Sequence, residues 1–505
     1  MTDRFYGIDF GTTNSVVSVY DSTTKKVTAL LNNSIVPHPS VVWYKADGSV
    51  QVGHAAKNNL NRYSGIAGHH FISSIKRRLG QGEITTIFNE KRRSADIAAE
   101  IFKYLRTDAE TRAGGFKLNS AIVTVPVYFN GQARRDLRTA ANLSGIYIEN
   151  FIHEPFAAIV GYVYGETGGV DLTSVRDQSI LVFDWGGGTL DITLVHVDDK
   201  GFVEMANGGL SDRAGDHFDS ILIKYVKTQV IEQLKITPSK LSILPGDADR
   251  LRTECERAKI SLSKRDHEII QVASAFNIDG KYYPIEVLLE REGLNELIRG
   301  DVQDAIAEIR RMLEEVNITS TNVDKVLLIG GTSKIPYVQD KLREIFGHRV
   351  VEVNNPDTII SEGASIISAE GLQPTLSRAI DVELSDKSYY TIFSEGEIAS
   401  SAVMKKNICF YCTDNRDGEG KLVIAETVDK SANRRKVLDV LPIPVSRNLP
   451  KPYNHERVEV GFQLDDNLIL QVIGKGATQE KSGNEEIINL HFGLLLSNKT
   501  GNGQK

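Results

Sequence analysis

The sequence predicts a two-lobed α/β region followed by an all-β sandwich, and three observations carry that reading. First, one unusual β-hairpin occurs twice: a strand over Phe5–Phe10, a loop Gly11-Thr12-Thr13-Asn14 and a return over Val16–Tyr20 are matched by Ser179–Phe183, Asp184-Trp185-Gly186-Gly187-Gly188-Thr189 and Asp191–Val197. Each copy places an Asp at a strand end before a Gly/Thr turn, so two related lobes are expected. Second, strands alternate with helical patterns between and after the copies, which is an α/β signature. Third, the texture changes around Gly371–Asp381, after which short alternating stretches replace helical periodicity.

Taken in order, Ala121–Val127 is an apolar strand closed by Pro126, and Asn130–Leu143 has helical periodicity with three arginines. A short strand, Ile148–Ile152, runs into Glu154-Pro155 and an Ala-rich helix from Phe156 to Tyr164. Asp247–Lys264 and Asp301–Val316 read as amphipathic helices. Lys325–Ile329 then feeds a Gly330-Gly331-Thr332 turn and a helix over Pro336–Phe346, an order that suits an anion or nucleotide site. Beyond the change in texture, Asn407–Cys412, Lys421–Thr427, Val458–Gln463, Leu468–Ile473 and Glu486–Phe492 read as strands of a β domain of about six to eight strands. These readings divide the chain into residues 1–372, a linker at 373–384, a β-sandwich at 385–497 and a polar tail at 498–505.

Composition narrows the class. A chain of 505 residues is ample for several cores, and its net charge of −7 gives no overall attraction for nucleic acid or anionic lipid. Its start, MTDRFYGIDFG, enters a strand pattern at once, so a secretory signal is not expected. No apolar run approaches a membrane span, and the expected location is the cytoplasm. Three cysteines, Cys255, Cys409 and Cys412, cannot build a disulfide framework. Cys409 and Cys412 lack a second C-x-x-C pair, and their spacing in a strand puts the thiols on opposite faces, so a structural role is expected. His69-His70 is expected to be exposed.

The chemistry lies in the turns. Backbone N–H groups of Gly-rich turns can approach a phosphate chain without an intervening side chain. Threonines add donors, and nearby carboxylates can hold hydrated Mg²⁺. Gly11-Thr12-Thr13 behind Asp9, and Gly186-Gly187-Gly188-Thr189 behind Asp184, supply both features twice, with Gly330-Gly331 as a third turn. One hairpin alone reads equally well as a plain turn; the repetition favours an anion site. Lys76, inside a Lys-Arg-Arg run, reads on its own as solvated, and Glu154 before Pro155 has a lesser alternative reading as a helix cap.

These segments resemble the seventy-kilodalton heat-shock chaperones of the DnaK type. The matching stretches are GIDFGTTNS (Gly7–Ser15), IKRRLG (Ile75–Gly80), VTVPVYFNGQARR (Val123–Arg135), HEPFAA (His153–Ala158), FDWGGGTLD (Phe183–Asp191), AGDHFD (Ala214–Asp219), ERAKISLS (Glu256–Ser263), GGTSKIP (Gly330–Pro336) and NNPDTIISEGAS (Asn354–Ser365). The resemblance implies an actin-like two-lobed ATPase domain with a β-sandwich domain behind it, acting as an ATP-dependent chaperone. Asp9, Glu154 and Asp184 would surround Mg²⁺, mostly through water, and Gly11, Thr12, Thr13 and Asn14 would hold the terminal phosphates. Lys76 would orient the attacking water, beside the polar pair Thr189 and Asp191. Gly187, Gly188, Gly215, Gly330 and Gly331 would contact phosphate or ribose. Glu256, Lys259 and Ser263 would form the nucleoside face of a helix, an assignment that their i, i+3, i+7 spacing supports independently. The implied cofactors are ATP or ADP with Mg²⁺, and K⁺ as an optional companion. The implied partners are unfolded polypeptide segments, a J-domain co-chaperone and a nucleotide exchange factor. Arg134 and Pro126 match a relay between the cleft and the interdomain face, which a buried proline and a surface helical arginine would explain almost as well.

Three departures stand out. Ile260 and Lys334 occupy positions where the family places two arginines around the adenine, and an ammonium cannot stack on a base as a guanidinium does. The linker stretch Leu376-Ser377-Arg378-Ala379-Ile380-Asp381-Val382 carries an Arg and small residues where the family has leucines. After Val458–Phe492, which resembles the last sandwich strands, only a short polar stretch follows, so a β domain without a helical lid is expected. A nucleotide-binding scaffold with little turnover is the alternative reading.

Overall fold

The computed structural model describes residues 3–32, 36–167, 174–198, 201–243, 245–278, 280–414, 416–429, 433–448 and 455–495. The tail expected at 498–505 lies outside them. The duplicated hairpins seed two sheets of matching topology. In the first, the order is Tyr147–His153, Ser120–Val125, Arg4–Asp9, Asn14–Asp21, Lys26–Ala29. In the second it is Val350–Glu352, Lys325–Ile329, Ser179–Trp185, Thr189–Val197, Gly201–Ser211. Both run through two parallel pairings and then two antiparallel ones.

Two apolar helices, Glu154–Thr167 and Ile359–Glu370, pack together between the sheets. Their close crossing depends on missing side chains: a Cβ at Gly363 would lie 1.8 Å from Ala157 O, and one at Gly161 would lie 2.6 Å from Ile359 O. The paired hairpin strands therefore converge on a single cleft.

The helices largely follow the sequence reading, with shifted ends. Asn130 caps Gly131–Leu143 by accepting from Ala133 N at 2.9 Å. The helix expected over Asp301–Val316 begins ten residues earlier and spans Arg291–Glu315, because Leu294 and Ile298 continue its buried stripe. His69 is half-buried rather than exposed, since its Nδ1 accepts from Trp43 Nε1. His70 is exposed as expected.

The β region comprises two four-stranded sheets. One is ordered Tyr389–Phe393, Ile380–Glu383, Glu419–Asp429, Arg434–Pro444, and the other Lys405–Cys412, Glu456–Leu464, Leu470–Gly476, Gly483–Ile487. Burial alternates along Glu456–Leu464 as a sandwich requires. Cys409 and Cys412 are free, one exposed and one half-buried on opposite faces of their strand.

The stretch Glu486–Phe492, read above as one strand, is not one. Gly483–Ile487 closes the sandwich, while Phe492–Leu495 joins the second large sheet between Gly201–Ser211 and Gln373–Leu376. The break falls where the helix Gly131–Leu143 docks: Gly131 N donates to Ile488 O at 3.1 Å, and Arg134 donates to the carbonyls of Asn467, Leu468 and Ile488. Arg134 is buried rather than on the surface, and burial lowers its pKa to about 10. Residues 373–384 thus contain two short strands, Gln373–Leu376 in the second large sheet and Ile380–Glu383 in the sandwich.

Candidate active site

A cavity of roughly 680 Å³ opens between the two large sheets, lined by Asp9, Gly11, Thr12, Thr13 and Asn14 from the first hairpin and Gly186, Gly187, Gly188, Thr189 and Asp191 from the second. Asp184, Lys76, Glu154, Ser263, Gly330, Gly331 and Lys334 complete the expected residues along its wall. The two turns meet closely. A Cβ at Gly187 would lie 2.2 Å from Thr13 Oγ1, and one at Gly188 would lie 2.8 Å from Thr12 Cγ2. Gly330, at φ +77°, allows a third approach, since a Cβ there would meet Asp184 Oδ1 at 2.6 Å. Thr332 Oγ1 donates to Gly186 O at 2.7 Å and ties this turn to the second hairpin.

Lys76 lies on a single 3-10 turn, Ile75–Arg78, entered through Ser74 in the left-handed region. Ile75 and Leu79 are both buried and pin the turn, which directs Lys76 inward. Its Nζ donates to Glu154 Oε1 at 2.7 Å, with both side chains 8% exposed. The Lys-Arg-Arg run is therefore not simply solvated. Burial alone would lower the Lys76 pKa, but the charges of Glu154 and Asp9 outweigh it and hold the ammonium protonated. Glu154 is the first residue of the helix Glu154–Thr167, and its carboxylate accepts from Lys76.

Carboxylates outnumber that cation. Loss of water and the Glu154 charge push Asp9 up to about 7, against the pull of Lys76. The same two causes push Asp191 to about 7, against the bond from Thr189 and the Lys76 charge. Asp184 is raised well above the usual range by desolvation and then by Glu154, Asp191 and Asp9. Such crowding is the electrostatic condition for a cation. Among the described residues no group of three His, Cys, Asp or Glu side chains is set to grip a metal directly. Thr13 Oγ1 is buried without a hydrogen-bond partner, an orphan donor aimed at the glycine turn. The residues present thus fit a phosphate chain with a hydrated divalent cation.

Three expected residues are not on the cavity wall. Gly215 packs behind Gly187, where a Cβ would come within 3.2 Å of the Gly187 Cα. Glu256 pairs with Lys57 at 2.9 Å, and Lys259 pairs with Asp219 at 2.7 Å while donating to Gly215 O. Their shared helix face exists, but its charges are spent on protein. Ile260, 57% exposed, and Lys334, paired with Asp357 at 2.6 Å, both line the outer cavity. Thr189 Oγ1 donates to Asp191 Oδ2 at 2.9 Å, which brings that pair together.

Sequence reasoning missed Arg77 and Tyr128. Arg77 bonds Asp212 and the carbonyl of Gly188, tying the Ile75–Arg78 turn to the second hairpin. Tyr128 lines the adjoining cavity with Lys76 and Thr189. Both lie inside motifs already singled out, so the signal was available in their neighbours.

A cleft between two duplicated α/β lobes, glycine turns facing each other across it and a β-sandwich docked on one lobe define a two-lobed nucleotide-type fold with an appended β region. The chain matches the profile of the Hsp70 protein family over residues 5–494 and belongs to that family. It is similar to the chaperone protein DnaK of Mycoplasma mobile, 29% identical over 507 residues that cover 98% of this chain and 79% of that relative. Its similarity to the DnaK of Ureaplasma urealyticum is 29% over 94% of this chain and 77% of the relative. For the DnaK of Metamycoplasma hominis it is 29% over 97% and 80%. Among the described residues no helix is long and apolar enough to cross a membrane.

Proposed function

We propose that this protein is a cytoplasmic, ATP-hydrolysing chaperone whose nucleotide state governs exposure of a client site on its β-sandwich. The observation that carries this reading is the buried Lys76–Glu154 pair at the meeting point of the two hairpins. Asp9, Glu154 and Asp184 would hold hydrated Mg²⁺, with K⁺ as an optional companion, and the ion would supply charge neutralisation for the phosphates. Thr12, Thr13 and the turn amides at Gly11, Asn14, Gly187 and Gly188 bind and orient the phosphate chain. Lys76 orients the attacking water and stabilises charge developing on the terminal phosphate, while Thr189 and Asp191 hold the water from the other side. The catalytic work is positioning and electrostatic stabilisation. Gly215, Gly330, Gly331 and Ser263 shape the nucleoside side, with Glu256, Lys259 and Lys334 bracing it through their ion pairs. Residues 1–372 serve as the ATPase domain, 373–384 as linker, its strand Ile380–Glu383 already in the sandwich, and 385–497 as the client domain apart from Phe492–Leu495, which joins the ATPase domain's sheet.

Clients are extended polypeptide segments, and a J-domain protein and an exchange factor are the expected helpers. A client site uncovered by a helix would release peptide rapidly. The test is single-turnover ATP hydrolysis with and without an unfolded polypeptide. Turnover that depends on Mg²⁺ and responds to peptide supports the reading.

A second reading, a nucleotide-binding scaffold with little turnover, is favoured by the linker, where Arg378 is committed to Glu426 of the sandwich. Tight ATP binding without single-turnover hydrolysis would select it.

A further inference from the structure

The linker strand Gln373–Leu376 does not pair with Gly201–Ser211, the last strand of the duplicated half-sheet. Phe492–Leu495 lies between them, paired with the linker over four residues, from Gln373↔Leu495 to Leu376↔Phe492. Its pairing with the large sheet covers only two, Gly201↔Leu495 and Phe202↔Leu494.

Side chains anchor the strand on both sides. Leu494, 1% exposed, enters the core shared by the two central helices. Phe492, 2% exposed, belongs to the core that joins the first lobe to the sandwich, and its ring lies edge-on to His153, the neighbour of Glu154. The preceding His491 bonds Glu426 through Nδ1 at 2.7 Å, and its carbonyl accepts from Ser377 N at 3.1 Å. The other Glu426 oxygen takes Arg378 of the linker at 2.8 Å. Two glycines permit the approach. A Cβ at Gly201 would lie 2.0 Å from Leu494 O, and one at Gly493 would lie 2.7 Å from Phe202 O.

We propose that residues 491–495 are a releasable clip through which the linker docks on the large sheet, so that linker docking is conditional on the segment that follows the sandwich. Strand pairing over two residues is a weak seam, whereas four linker pairs and the shared Glu426 bind clip and linker to each other more firmly. Release therefore opens between the clip and Gly201–Phe202 and withdraws Leu494 from the core, and the linker, left with its contacts to Tyr147–His153 and to the 396–399 segment, loses its tie to the second large sheet. The coupling this gives to the ATPase cycle rests on the chaperone reading. The docking relation itself does not.

The experiment is hydrogen exchange on the full chain, followed at Gln373, Thr375 and Ser377, which face the clip, while Leu376 N bonds Glu397 O instead. It compares wild type with Gly201→Val, which crowds the clip without altering the linker. Exchange of the linker amides is expected to accelerate at least about tenfold, with protection of the Ser94–Arg112 helix unchanged. Should Gly201→Val fail to fold, His491→Ala serves in its place: it removes only the Glu426 bond and is expected to accelerate the same amides about threefold. Unchanged linker protection in the folded variant would overturn the proposal, because the linker would then hold the sheet without the clip. The measurement needs no hydrolysis, so a protein that proves inactive toward ATP still tests the clip, and loss of the chaperone reading is told apart from loss of this one.

Discussion

Two sets of acidic groups, one at the base of the cleft and one where the linker meets the sandwich, show how the same side chains serve opposite ends. At the junction Asp381 and Glu426 are both matched. Asp381, fully buried, accepts from Thr391, Thr427 and Arg435. Glu426, 1% exposed, accepts from Arg378 and His491. Burial alone would raise the Glu426 pKa, but the His491 bond and the charges of His491, Arg378 and Lys436 hold it below the usual range. In the cleft, Asp9, Glu154, Asp184 and Asp191 share one ammonium, and the three aspartates are pushed upward. Matched charge makes a lock, whereas unmatched charge leaves a place for a ligand cation.

The largest effect is expected at the junction. Asp381→Ala leaves Arg435, whose side chain is 14% exposed, without its carboxylate, and should cost about 3–5 kcal/mol in denaturant unfolding. A loss below about 1 kcal/mol would show that the lock contributes little.

In the cleft, Lys76→Ala should lower single-turnover hydrolysis by about 10²–10³-fold while ATP still binds, because the ammonium acts on charge that develops in the reaction. Wild-type turnover would remove Lys76 from the chemistry.

A smaller, opposite-signed effect distinguishes the two acid sets directly. The folded-state pKa values of Asp9 and Asp191, about 7, lie above the ordinary 3.8, so their contribution to stability is present below about pH 4 and is lost as pH rises through 7. Asp9→Asn should therefore raise the melting temperature of the nucleotide-free protein at pH 8 by a few degrees, even as it weakens Mg²⁺-dependent hydrolysis. A melting temperature that falls would mean that this carboxylate is matched, as those at the junction are.

The smallest effect concerns Arg378→Leu. Glu426 keeps His491 and has Lys436 at 3.7 Å, so the loss should be about 1 kcal/mol by thermal unfolding. Ala379, 6% exposed, has no comparable room, and adding leucine there should destabilise by about 1–3 kcal/mol through overpacking. The linker thus combines apolar burial at Leu376, Ala379, Ile380 and Val382 with the Arg378–Glu426 ion pair, which becomes interpretable only once Glu426 is located beside it.

The sequence by itself determined the duplicated hairpins, the alternation of strands and helices and the inward-facing turn residues, because these depend on periodicities and turn chemistry within a few residues. It also marked Lys76 and Glu154, through the motifs that contain them. Tertiary structure alone decided that Glu256 and Lys259 spend their charges on Lys57 and Asp219, that Arg134 is buried against the sandwich, and that Phe492 leaves the sandwich for another sheet. Each of these rests on a partner more than 30 residues away, and a short alternating stretch has the same local pattern whichever sheet edge accepts it. Strand pairing and charge neutralisation depend on what lies across the gap, and no local pattern encodes that neighbour.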